Sequence, residues 1–234
     1  MKDNGLLVQY FNANTPADQT LWAKAAKDAA TLKKLGATAV WFPPATKGAA
    51  GKDDRGYAPY DLYDLGEFNQ KGSVGTRYGT KKEYLEAIDA MKAQGINVYA
   101  DIAVRQKLGA DSVEKVTAAD FNAKDIPQMI GNKKIVGALS KFTFPGRKSK
   151  YSKFKWNWNH FAGIDWQQDD FKRRVCELSG MTEMEAEKKY KLSKYDYIIG
   201  SELDLYNQEV YDELMAWAKW YELSLIHISE PTRH

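Results

Sequence analysis

The 234 residues suffice for one large domain or two small ones, and 34 Lys and Arg against 31 Asp and Glu leave a formal charge of only +3. That balance excludes the strong basic field on which a nucleic-acid partner depends. The apolar stretches are strand-length, far short of the roughly 20 residues that cross a bilayer. One cysteine, Cys176, permits neither an internal disulfide nor a four-cysteine zinc site. The three histidines, His160, His227 and His234, lack metal-ligand spacing. The opening MKDNGLLVQYF has no basic start followed by an apolar core, so no secretory leader is read there and a cytoplasmic location is expected.

In chain order, Leu6 to Phe11 reads as a short buried strand. Thr15 and Pro16 predict the N-cap and first position of a helix. Trp22, Ala25, Ala29, Leu32 and Leu35 supply its apolar stripe, and Gly36 its C-terminal stop. Thr38 to Phe42 is a second strand, ended by Pro43 and Pro44. A long Gly- and Asp-rich loop follows. Thr80 and Glu83 form a capping box that opens a helix with Leu85, Ile88 and Met91 inward, and Gly95 closes it. Ile96 to Val104 is the third strand. Nearly continuous apolar strands alternating with helices predict parallel pairing, an α/β class. Residues 105 to about 206 are polar and irregular and read as an insertion. Asn207 then caps a last helix with Val210, Leu214, Trp217 and Tyr221 on one face.

The string from Gly56 to Gly72, GYAPYDLYDLGEFNQKG, resembles the bacterial liquefying-type α-amylases of glycoside hydrolase family 13. Gln9-Tyr10-Phe11, Ala39-Val40-Trp41, Pro43-Pro44, Arg77 to Thr80 and Gly95 to Asp101 match in order. So do Phe144 to Arg147, Phe154 to Trp156, His160-Phe161, Asp165-Trp166, Tyr195 to Tyr197 and Trp220-Tyr221. The resemblance implies a (β/α)8 TIM barrel with a domain B inserted after the third strand and a sugar site at the carboxyl ends of the strands. This chain would supply the first three βα units in residues 1–104, domain B in 105–206 and a barrel helix in 207–222. The resemblance also implies retaining hydrolysis of internal α-1,4-glucosidic bonds, which needs two carboxyl groups about 5–5.5 Å apart. The family's three catalytic carboxylates come from the fourth, fifth and seventh strands, so none is expected within these residues.

Tyr57 matches the family's tyrosine that stacks on the sugar beside the cleaved bond; the alternative is an ordinary loop aromatic. Asp101 matches the strand-three aspartate that organises the pocket. Trp41 reads as core packing rather than a sugar contact. The first family motif continues to a calcium-binding Asn and a sugar-contacting His, but here those positions are Arg105 and Gln106, the latter kept as a substrate-binding candidate. The Glu-Trp after QYF has become Asn12-Ala13, and the aspartate after His-Phe is Ala162. Near the end of domain B three alternating aspartates read Glu202, Asp204 and Tyr206, while Asp196 still matches a ligand position. Calcium takes six to eight oxygen ligands, and a guanidinium has no acceptor atom. Arg105 is therefore expected either to replace calcium, pairing with Asp196, Glu202 or Asp204, or to swing to solvent.

The run Arg147 to Trp156 interleaves bases and aromatics, a pattern shared by single-stranded nucleic-acid strips and by solvated loops. Trp156, Trp158 and Trp166 are expected to form a small core of domain B, and Cys176 to be a buried structural thiol. Leu223 to Arg233, LSLIHISEPTR, looks like one reading frame of a sequencing adapter, so residues 223–234 are expected to be a non-native tail. The implied partners are α-1,4-glucans (starch, glycogen, maltooligosaccharides), with no nucleic acid and no membrane. The chain itself is expected to be inactive as a truncated piece. The alternative is a degenerate, non-catalytic glucan-binding or regulatory homologue.

Overall fold

The computed structural model describes residues 4–121, 129–169, 172–178 and 199–226. The chain divides into two units, one of Met1–Ala103 with Trp217–His234 and one of Val104–Ala216. The first begins with β1 (Leu7–Gln9), α1 (Leu21–Lys34) and β2 (Ala39–Phe42). The short β3 (Lys47–Gly48) and β4 (Pro59–Asp61), α2 (Lys81–Ala93) and β5 (Asn97–Ala100) follow. β1, β2 and β5 lie side by side in that order, both pairs parallel, so the strand–helix alternation read from the sequence is present as a mixed α/β unit.

Side-chain alternation divides the sheet into two unlike faces. Val40 and Phe42 are fully buried, and Phe42 stacks at an angle against Trp22 of α1 (centroids 5.3 Å) while Trp22 meets Tyr84 of α2 at 4.7 Å. The opposite row pairs Gln9, Trp41 and Tyr99. Trp41 is 36% and Tyr99 59% exposed, so Trp41 is not the core residue its strand position suggested.

Helix ends follow local chemistry. At α2 the expected capping box forms: Thr80 Oγ1 accepts from Glu83 N, and Glu83 Oε2 accepts from Thr80 N at 2.8 Å. Its buried face is Tyr84, Ala87, Ile88 and Met91, which includes the expected Ile88 and Met91 but takes Tyr84 in place of Leu85, which is half-buried. Helix α1 starts at Leu21, not at Pro16. Thr15 Oγ1 is occupied by Asn12 N, and the Thr15 carbonyl by the Arg77 guanidinium at 2.6 and 2.9 Å. Gln19 then turns to φ +60°, which interrupts any earlier helix. Leu35, past the last turn, is 70% exposed.

The second unit is not irregular. It contains β6 (Gln106–Lys107), β7 (Ser112–Phe121), β8 (Met129–Lys141), β9 (Phe161–Gln167), β10 (Lys172–Glu177) and β11 (Ser201–Leu203). They pair antiparallel in the order β6-β11-β9-β10-β7-β8. Its aromatic core gathers Phe142, Phe144, Trp156 and Phe161, with Phe142 5.8 Å from Phe161. Of the three tryptophans expected there, only Trp156 is buried; Trp158 is half-buried and Trp166 is 38% exposed. Helix α3 (Gln208–Ile226) is capped by Asn207, whose Oδ1 accepts from Glu209 N at 2.9 Å. It continues past residue 222, where the sequence reading ended it.

Candidate functional site

The loop between β2 and α2 is organised around a buried cation. Lys47 Nζ donates to the carbonyls of Val74 (2.6 Å), Ser73 (2.7 Å), Phe68 (3.3 Å) and Gly75 (3.4 Å) and lies 3.6 Å from Asp64 Oδ2. Three ammonium protons are shared among these acceptors. Asp64 Oδ1 in turn accepts from the backbone N–H groups of Gly66, Glu67 and Phe68, and Gln70 Nε2 bridges Asp61 and Asp64 at 2.9 and 3.0 Å. Burial pulls the Lys47 ammonium down and pushes the Asp64 carboxyl up, each opposed by the other's charge. Nothing in the local sequence marks Lys47. Its neighbours Thr46 and Gly48 give no period, and a buried lysine is foreseen only once its carbonyl cage is known.

β3 and β4 hold the next part of the loop, with Ala49 N donating to the Ala58 carbonyl at 2.8 Å. Between them Asp54 Oδ1 accepts from Gly56 N at 2.7 Å. Gly56 sits at φ +90°, where a Cβ would meet Pro44 Cβ and O at 2.7 Å, so only glycine fits. This turn presents Tyr57, whose ring is 45% exposed while its hydroxyl donates to Asp101 Oδ2 at 2.6 Å. Asp101 follows β5, its N–H bonded to the Phe42 carbonyl at the end of β2. Burial of the hydroxyl, then the Asp101 hydrogen bond and charge, hold the Tyr57 phenol protonated far above its ordinary range. Two of the expected substrate residues, Tyr57 and Asp101, are thus brought together at the carboxyl ends of adjacent parallel strands, where α/β sheets bind ligands. The ring is held at its hydroxyl, and a carboxylate stands beside it.

Gln106 lies in the second unit, paired through the backbone with Glu202. Beside it, Arg105 Nε and Nη2 both lie 2.6 Å from Glu202 Oε1. Asp204 is buried, with Oδ1 accepting from Tyr206 N at 3.1 Å. Asp196 lies outside the described residues. Among the described residues no group of three or more His, Cys, Asp or Glu side chains comes together as a cation site.

Of the basic run, Arg147 is buried and Lys155 half-buried, whereas Lys148, Lys150 and Lys153 are exposed, as in a solvated loop. Arg147 is buried, donating to the Lys150 and Ser152 carbonyls at 2.6 and 2.8 Å and lying 4.8 Å over the Phe144 ring. Lys155 donates to the carbonyls of Thr143 and Lys148. Cys176 is buried, with Gln167 Nε2 at 2.7 Å from its sulfur.

No protein-family model matches the chain. It is 47% identical over 219 residues to an α-amylase from Geobacillus stearothermophilus, covering 93% of this chain and 40% of that protein. It is 37% identical over 221 residues to a cytoplasmic α-amylase from Escherichia coli (strain K12), covering 93% of this chain and 44% of that protein. The chain thus spans about two fifths of the length of the curated relatives it matches. A solved alternansucrase in complex with isomaltononaose aligns over 58% of this chain and 12% of its own, at 25% identity and a TM-score of 0.45. Among the described residues no helix is long and apolar enough to cross a membrane.

Proposed function

We propose that the chain is the N-terminal portion of an α-amylase-type glycoside hydrolase of the liquefying kind, and that its first unit forms part of the sugar-binding wall for starch, glycogen or maltooligosaccharides. Identity of 37% and 47% to α-amylases over 93% of the chain supports the class. The single observation that carries the site is the hydrogen bond from Tyr57 to Asp101, which fixes an exposed ring beside a carboxylate. A glucose ring has an apolar face for the tyrosine and equatorial hydroxyls for the carboxylate. Asp101 therefore does two things: it locks the ring and offers its remaining lone pairs to a sugar hydroxyl.

Hydrolysis with retention requires a nucleophile and a proton donor about 5–5.5 Å apart. In this reading both belong to strands of the parent barrel outside this chain. The open row of Gln9, Trp41 and Tyr99 fits that reading, because parallel sheets are otherwise covered on both faces. A reducing-end assay on soluble starch tests the proposal: the chain releases no new ends, whereas turnover by the pure chain would place the reacting carboxylates within it. A cytosolic location is part of the same reading, on the likeness to the cytoplasmic relative.

A further inference from the structure

Resting on the α-amylase reading, the resemblance implies a calcium ion where Arg105, Asp196, Glu202 and Asp204 stand, but the described residues do not fit one. Calcium requires six to eight oxygen donors. Position 105 instead presents a guanidinium, which has no lone pair to give, and both of its nearer nitrogens are on Glu202 Oε1 at 2.6 Å. The Glu202 side chain is only 6% exposed and that of Arg105 42%, so a buried carboxylate is already paired with a guanidinium that reaches it from the solvent side. Asp204 Oδ1 accepts from the Tyr206 N–H.

Among the described residues on these strands, Arg105 and Lys107 bring two positive groups, and Glu202 and Asp204 two negative ones. Lys107 is buried with Nζ 5.0 Å from the centroid of Trp156 and 5.4 Å from those of Phe142 and Phe144, which places its charge over ring faces. A divalent cation beside Glu202 would meet the Arg105 guanidinium at short range.

The geometry has a mechanical reading as well. The residues around position 105 are where the chain passes into the second unit, and those around 202 are where the last strand of its sheet returns. Backbone pairing of Glu202 with Gln106 and of Ser201 with Lys107 joins them, and Leu203 N donates to the Arg105 carbonyl at 2.8 Å. We propose that the Arg105 guanidinium takes the place of a calcium ion, clasping β11 to the residues that lead into β6 across 97 positions of sequence, and that the second unit is consequently stable without calcium. A charged clasp with two donors to one buried carboxylate oxygen supplies the loop closure that an ion would otherwise provide.

Thermal unfolding of the chain, followed by circular dichroism with calcium in excess and with chelator, gives the test. The expected midpoints coincide; a rise of several degrees on adding calcium overturns the proposal, because a ligand that binds the native state raises the midpoint by mass action. A double-mutant cycle tests the clasp itself. Arg105→Met and Glu202→Met each lower the midpoint, and the double variant lies no lower than the worse single one; additive lowering contradicts direct coupling. Should either variant fail to fold, the calcium comparison on the unaltered chain still decides. Maltooligosaccharide binding is read separately at Tyr57, so loss of the clasp and loss of the α-amylase reading give different results.

Discussion

An ammonium group enclosed by four carbonyls and a carboxylate, as at Lys47, does for the β2–α2 loop what a small cation does in other loops. It neutralises converging dipoles that would otherwise repel. A buried ion pair adds little net stability over a well-packed apolar pair, yet removing one partner is costly because the other is stranded. Lys47→Met should therefore destabilise the first unit by about 3–5 kcal/mol. With about 2–4 °C lost per kcal/mol in a chain of this size, calorimetry would show a midpoint fall of roughly ten degrees. A fall of only one or two degrees would mean the cage is dispensable. Tyr57 and Asp101 were legible because they stand in long matched strings. Lys47 was not, since its importance lies in carbonyls 21 to 28 positions away that carry no sequence signature.

At the scale of elements, what depends on the nearest few residues was readable and what depends on distant partners was not. The Thr80–Glu83 capping box and Gly36 and Gly95 at the helix ends (φ +91° and +65°) formed where the sequence put them. Thr80→Ala should cost about 1 kcal/mol, and urea unfolding would register it as a lower midpoint at unchanged slope. The start of α1 was misplaced because Thr15 is claimed by Arg77, 62 residues on. The sheet of the second unit was missed for a similar reason. Its strands pair out of chain order, and β7 carries Glu114, Lys115 and Thr117 between its buried positions, so the run reads as polar.

A pH dependence belongs to this scale too, because it links α2 to α3. The Tyr84 and Tyr221 hydroxyls are buried 3.0 Å apart. Burial pushes Tyr221 from its ordinary 10.0 up to about 12 and Tyr84 well above 10. Native phenols that hold their protons longer than unfolded ones stabilise fully below about pH 10, and that stability is lost as pH rises through the folded values. Melting midpoints should be flat toward pH 10 and fall above it. Tyr221→Phe, with one titrating group fewer, should fall less steeply over the same range; an unchanged slope would show that this pair does not carry the effect.

Across the whole molecule, composition and charge argued against a helical membrane span, an internal disulfide and a strongly basic field, but only the matched strings pointed beyond a general α/β class. Each unit has its own aromatic core, Trp22, Phe42 and Tyr84 in one and Phe142, Trp156 and Phe161 in the other. The exposed Trp41 and Tyr99 leave the first unit's parallel sheet with an apolar row facing water, an arrangement that costs stability and favours any further strands able to cover it. The proposed sugar-binding wall of the first unit reduces to a testable property of one exposed ring, Tyr57. Isothermal titration of a maltooligosaccharide into the chain, and into its Tyr57→Ala variant, tests this most directly. The account predicts measurable binding by the chain and an affinity lower by about tenfold, or roughly 1.4 kcal/mol, in the variant, whereas equal affinities would contradict it.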